Sequence, residues 1–247
     1  MNEKALHFLE LATACEDSDL AIDYAQKALD SDPDCLEAAV LLVQLKNPAW
    51  SAVQTLSEMR EEEEQKLKEK GLWEEEGHLW DIEEARPYIR LVSVIAQEYM
   101  DLHWYRQALP PLYDLINLDN EDHLGAHFRI LGVCTLLERF KDTEILIEHF
   151  EKDTVPGLLY TVMIQFKQNK LPLASLTLQK LYNAVTDWED HLHADLNDLL
   201  AMAEGDIVPN TVSELVWHFT SFPMLFLDEA FLFWMSEQLP EKMAFLN

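Results

Sequence analysis

The sequence predicts an all-α protein, a solenoid of helix pairs closed by an atypical C-terminal helical cap. Three observations carry this. Glycine is scarce, 6 residues in 247, and proline modest at 10. Long stretches are instead rich in Leu, Ala, Glu and Gln, which form helices readily and leave too few turn-formers for a many-stranded β fold. In residues 20–33 (LAIDYAQKALDSDP), Ala21, Ala25 and Ala28 fall at i, i+4 and i+7. That puts small side chains on one helical face, where a second helix can approach closely. Finally, Ala108, Thr143 and Ala174 recur at intervals of 35 and 31 residues, close to the length of one helix–turn–helix repeat.

The elements follow in order. Residues 3–15 read as a first helix, residues 16–19 as a turn, and the alanine-faced segment as a second helix. Asp32-Pro33 ends that helix, because proline restricts the residue before it and cannot continue the hydrogen bonding. Residues 36–45 form another first helix, and residues 48–70 a long second helix with a polar end. There the run Arg60-Glu61-Glu62-Glu63-Glu64-Gln65-Lys66 reads as a solvated extension. Gly71 and Gly77 punctuate an irregular connection over residues 71–85, the candidate hinge between an N-terminal region (residues 1–70) and a repeat region (residues 86–205).

Within the repeat region, Val92, Ile95, Ala96 and Tyr99 mark a first helix, and Ala108, Leu112 and Leu115 a second. Residues 128–137, with Thr143, Ile147 and Phe150, make a weaker copy. Residues 157–185, with Ala174, Leu178 and Leu181, make another. Residues 206–247 differ in character, holding Trp217, Phe219, Phe222, Phe226, Phe231, Phe233 and Trp234. A solenoid needs an atypical terminal unit to close its core, so these aromatics read as a cap. An exposed aromatic docking patch is the alternative.

The small second-helix residues and the closing proline resemble the tetratricopeptide repeat (TPR). That resemblance implies a right-handed solenoid of antiparallel helix pairs. The segment EARPYIR, residues 84–90, further resembles a group of bacterial TPR proteins carrying an ETRPYMRAR-like motif. Trp80, Glu84, Arg86, Pro87, Tyr88 and Arg90 match it, and Leu118, Asp122 and Gly125 match a following segment. Phe128 stands for a Tyr, His127 for an Arg and Asn120 for a Pro. The likeness spans residues 78–240 and assigns no activity. It implies a concave groove lined by first helices, with Arg90, Ser93, Val94, Gln97, Leu159, Tyr160, Met163 and Phe166 on that face, and Phe128 and Arg129 added from the intervening repeat. Arg86 and Arg90, four apart on one helical face, either lock the start of the repeat or place a cationic spot at the groove mouth. The Lys, Asn and Arg set that clamps a chaperone's terminal carboxylate in some TPRs is missing.

The net charge of −28, from 46 acidic and 18 basic side chains, repels nucleic-acid phosphates and anionic headgroups and favours a basic or amphipathic partner. Nucleic acid and membrane are therefore not expected as partners. Cys15, Cys35 and Cys134 are too sparse for a disulfide framework and read as buried thiols of a reducing cytoplasm. The N-terminus lacks the pattern of a secretory signal.

No phosphate-binding glycine loop, nucleophile elbow or HExxH occurs. His191 and Asp195 sit at i, i+4, a workable two-ligand spacing for a metal, but a solvated polar face explains them as well. The pairs Glu62–Glu63 and Glu74–Glu76 read as surface charge rather than a glycosidase dyad. The expectation is a non-catalytic scaffold that binds a protein or peptide, with no cofactor and no metal. The alternative is an intracellular peptide sensor whose superhelix changes on ligand binding. A TPR-like start at residue 3 leaves no room for a helix-turn-helix ahead of it, which weighs against that alternative.

Overall fold

The computed structural model describes residues 2–75, 77–191 and 196–238. Among these the protein is all-helical, with no strand. The chain divides into two compact units, Met1–His127 and Phe128–Asn247.

The first unit opens with α1 (Glu3–Thr13), α2 (Ser18–Ser31), α3 (Leu36–Lys46) and α4 (Ala49–Glu69). Asn2 starts α1, its side chain accepting from the Ala5 amide at 2.8 Å, and Asp17 starts α2 by accepting from Leu20 at 3.0 Å. Each satisfies an N–H that the first turn leaves unpaired. Ala21, Ala25 and Ala28 are buried as their spacing predicts. Ala28 packs with Ala5, Cys35 and Ala38, and Ala25 with Ala12 and Leu42. Small residues therefore set the approach of α1, α2 and α3.

After α4 the chain makes three short 3-10 turns, Leu72–Glu75, Leu79–Asp81 and Glu83–Ala85, then α5 (Arg86–Asp101) and α6 (Tyr105–Leu118). Val40 of α3, Val53 and Leu56 of α4, and Leu91 and Ile95 of α5 form one core cluster. The irregular connection at residues 71–85 thus lies inside a compact unit, and α4 packs on α5 across it. The two units part after His127 instead.

The second unit takes in most of α7 (Ala126–Leu136), which begins at the unit boundary. It continues with α8 (Phe140–Leu146), α9 (Val155–Lys167), α10 (Leu171–Ala184), α11 (Leu196–Glu204), α12 (Val212–Ser221), α13 (Pro223–Phe226) and α14 (Glu229–Gln238). The second helix of the weak repeat is shorter than its spacing suggests: α8 stops at Leu146 and widens into a π turn, Ile147–Glu151. Of the aromatic segment, Phe219, Phe222, Phe226, Phe231 and Trp234 are buried. They close over α9, where Tyr160 meets Phe226 and Phe166 meets Phe231 and Trp234. Phe233 stays 66% exposed.

Three helix pairs share one turn. His103, Glu138 and Asn169 each take a positive φ, between 56° and 58°. The next residue, Trp104, Arg139 or Lys170, donates its amide to a carbonyl five residues back, at 2.8 Å in every case. This is the Schellman arrangement, which satisfies the carbonyls left over at a helix end. The same residue's carbonyl then accepts from Ala108, Thr143 or Ala174 at 3.0–3.1 Å. These are the three anchors of the sequence pattern, and all are fully buried. A non-glycine residue in this conformation costs on the order of 1 kcal/mol, so the surrounding pair must hold it there.

Of the cysteines, Cys35 and Cys134 are buried and Cys15 is half-buried, so the expectation of three buried thiols is corrected at Cys15. That thiol sits in the turn between α1 and α2 and points at the Asp17 carbonyl. No helix among the described residues is long and apolar enough to cross a membrane.

Candidate functional site

The EARPYIR motif is built around Trp80. Arg86 donates from Nε to the Trp80 carbonyl at 2.7 Å. The guanidinium groups of Arg86 and Arg90 both lie 5.7 Å from the Trp80 ring centre. His123 stacks on the same indole at 5.2 Å and 14°, and Asp119 holds His123 through its amide at 2.7 Å and its Nδ1 at 3.0 Å. The two segments that carry the family resemblance therefore meet in space. Backbone pairing reinforces the meeting, since the Asn120 amide donates to Gly77 at 2.9 Å. Gly77 has φ +89°, and a side chain there would collide with Asn120.

Both arginines are thus engaged within the fold. Arg90 also pairs with Glu37 of α3 at 2.9 Å. Contacts of this kind contribute about 0.5–1 kcal/mol each where exposed. The geometry fits a lock that joins α3, α5 and the loop before α7. Asp122 completes that loop by accepting from the Ala126 amide at 2.6 Å and from the His127 amide and ring.

The other residues predicted for the groove are spread over both units. In the first, Val94 packs against the α3–α4–α5 core, and Gln97 is exposed and donates to Asp101 at 2.8 Å. In the second, Phe128 sits edge-on to Trp217 and His218, and Arg129 is half-buried. Leu159, Tyr160 and Met163 are core residues with at most 1% of their surface exposed. They have no surface to offer a partner, because α12 and α13 cover that part of α9. Tyr160 instead meets His218 at 3.4 Å, and burial pushes its phenol well above the ordinary range. Phe166 is half-buried against Phe231 and Trp234.

No protein-family model matches the chain, and no curated protein matches it.

A cleft that the groove residues do not mark lies in the first unit. α3 has 11 residues and α4 has 21, lengths of about 16 Å and about 31 Å. The Asn47-Pro48 link turns α3 directly into α4, so α3 accompanies only the first half of its longer neighbour. The remainder of α4 faces a cleft of about 600 Å³. Its apolar floor includes Leu36, Ala39, Met59 and Pro87. Its rim carries Asp34, Glu62, Glu63, Glu69 and Glu84 against Lys66 and Lys70. Lys66 is already paired with Glu63 at 2.5 Å. At the back, Tyr88 donates to Glu64 at 3.2 Å, and burial pushes its phenol up to about 12. The signal was present in sequence: Met59, Glu62, Glu63, Lys66 and Lys70 share one helical stripe.

Among the described residues of the second unit, the carboxylates of Glu151 and Glu214 are buried. Thr154 donates to Glu151 at 2.6 Å, and the Asn210 amide donates to Glu214 at 2.8 Å. Burial pushes the Glu214 carboxyl above its ordinary range, and the Glu151 charge adds to the shift. A raised folded-state pKa contributes stability below the unfolded value of about 4.3, and that contribution is lost as pH rises through the folded value. Glu214→Gln removes the penalty while keeping the acceptor. Its melting temperature at pH 7 is expected to exceed that of wild type by about 2–4 °C, a gain that shrinks towards pH 4. Thermal melts at both pH values check this, and an equal gain at both would contradict it.

The metal spacing concerns Asp195, which lies outside the described residues. His191 itself pairs with Asp187 at 3.2 Å. The carboxylates of Glu74, Glu75 and Glu76 also fall outside the described side chains.

Proposed function

We propose that the chain is a non-catalytic helical-repeat scaffold of the tetratricopeptide type, acting in the cytoplasm by binding a basic or amphipathic protein or peptide. The observation that carries this reading is the turn shared by three helix pairs at the same 35- and 31-residue intervals as the sequence anchors. A backbone device repeated at that period supports a stack of similar helix pairs. The charge of −28 selects the partner's sign.

Capture from lysate of the source cells at about 50 mM and about 200 mM salt tests the reading, since surface electrostatics weaken across that range. The expected result is one dominant protein with a basic surface, retained at low salt and depleted at high salt. Capture of an acidic partner, or of none at either salt, would overturn it. Arg86 and Arg90 are poor probes of such binding, because charge reversal there breaks the Trp80 lock before it touches any partner.

A further inference from the structure

We infer that the cleft beside the second half of α4 seats a cationic amphipathic helical segment of a partner protein; this rests on the scaffold reading above. α3 ends its run beside Met59, because its first residues, Leu36 and the preceding Cys35, already line the cleft. From there to Glu69 the same face of α4 continues for ten residues as one wall of the cleft, across from Glu84 and Pro87 and with Tyr88 at the back. Ten helical residues span about 15 Å, just under three turns of a partner helix laid where α3 would have continued.

The chemistry of the lining narrows the occupant. Leu36 and Met59 are only half-buried and packed on the core cluster below them, so they offer apolar surface. The rim above is acidic. Glu62 and Glu84 line the cleft at exposed positions, and the lysine beside Glu62, Lys66, is shared with Glu63, which it meets at 2.5 Å. Lysine and arginine suit both layers at once, because their aliphatic stems lie along apolar surface while the charged heads reach outward. An acidic or neutral helix would leave the rim uncompensated. A volume of about 600 Å³ falls in the range of ligand-sized clefts, roughly 300–1,000 Å³. It seats a few side chains of a segment whose remaining length lies along α4, the groove-binding mode in which residues at i, i+3, i+4 and i+7 act as anchors.

The test uses the full chain and a fluorescein-labelled synthetic peptide of twelve residues, Leu and Lys in amphipathic helical order, read by fluorescence anisotropy in about 50 mM salt. Glu62→Lys/Glu84→Lys reverses one charge on each wall at exposed positions. Glu10→Lys/Asp23→Lys changes the net charge by the same amount on exposed faces of α1 and α2, away from the cleft. The cleft pair is expected to weaken binding about tenfold and the control pair no more than about twofold. A scrambled peptide of identical composition should bind more weakly to wild type. Equal weakening by both pairs would mean diffuse attraction to an acidic surface and would overturn the cleft. Undiminished binding in the cleft pair would also overturn it, while a basic partner captured from lysate left the scaffold reading standing. No saturable binding to wild type would sink the cleft inference, and lysate capture would then decide the scaffold reading by itself. Circular dichroism of both variants keeps a folding defect from passing as lost binding.

Discussion

Phe226→Ala is expected to destabilise the second unit by about 3–5 kcal/mol. Phe226 is fully buried. Its ring stacks on Phe219 at 5.3 Å and 22° and meets Tyr160 at 5.2 Å and 66°, with Phe231 at 6.5 Å. Truncation removes the area of a whole aromatic side chain, leaves a cavity, and breaks pairs that contribute about 0.5–1.5 kcal/mol each beyond their area. Domains are stable by only about 5–15 kcal/mol, so the change is a large fraction of the total. Urea titration followed by near-ultraviolet circular dichroism measures it. A loss under about 1 kcal/mol would mean that the aromatic segment does not close over α9 as described, and would revive the exposed-patch alternative.

Gly157→Ala is expected to cost about 2–4 kcal/mol, against the sign that helix propensity alone would give. Gly157 lies in the first turn of α9, and alanine in a helix is ordinarily better than glycine by about 1 kcal/mol. Here a Cβ would overlap the carbonyl oxygen of Glu151 and stand 2.8 Å from its carbonyl carbon. Those are backbone atoms, and they cannot rotate aside. Relief requires α9 to move away from the π turn. That would strain the cap in which Thr154 receives the Gly157 amide at 3.2 Å and donates to the Glu151 carbonyl at 2.8 Å. Thermal unfolding of the variant checks this, and a stabilised protein would show that the chain passes Gly157 at a greater distance.

The helices were legible because their cause is local. The alanine spacing of α2, its Asp17 cap and its Asp32-Pro33 stop lie within one stretch of chain, and the anchors Ala108, Thr143 and Ala174 carry the period without reference to anything distant. Two features do not follow from local rules. Pro110 and Pro111 should interrupt a helix, yet α6 runs through both, giving up two backbone N–H donors. The π turn after α8 had no signal in the residue pattern, since it follows from where α9 must begin.

The candidate site was less legible for a different reason. Register counting put Tyr160 and Met163 on a helical face, but what covers that face is α12 and α13, some fifty residues further on. Arg86 and Arg90 were grouped, but Trp80 and Glu37, which engage them, and His123, which stacks on Trp80, come from three other parts of the chain. The cleft depended on a comparison of the lengths of α3 and α4, which no single motif contains.

The packing of neighbouring helices has a consequence for how the chain acquires its structure during synthesis. α1 with α2, α5 with α6 and α9 with α10 are partners adjacent in sequence, so little loop-closure entropy is lost in forming them, and folding dominated by such low contact order is fast. Each pair can form soon after it leaves the ribosome. Two pairings that reach further back along the chain are α12 on α9 and α14 on α10. Until α12 to α14 emerge, the apolar side of α9 that holds Tyr160 and Phe166 lacks its aromatic cover. The interval of greatest aggregation risk for this stretch therefore lies between the emergence of α9 and that of the aromatic helices α12 to α14.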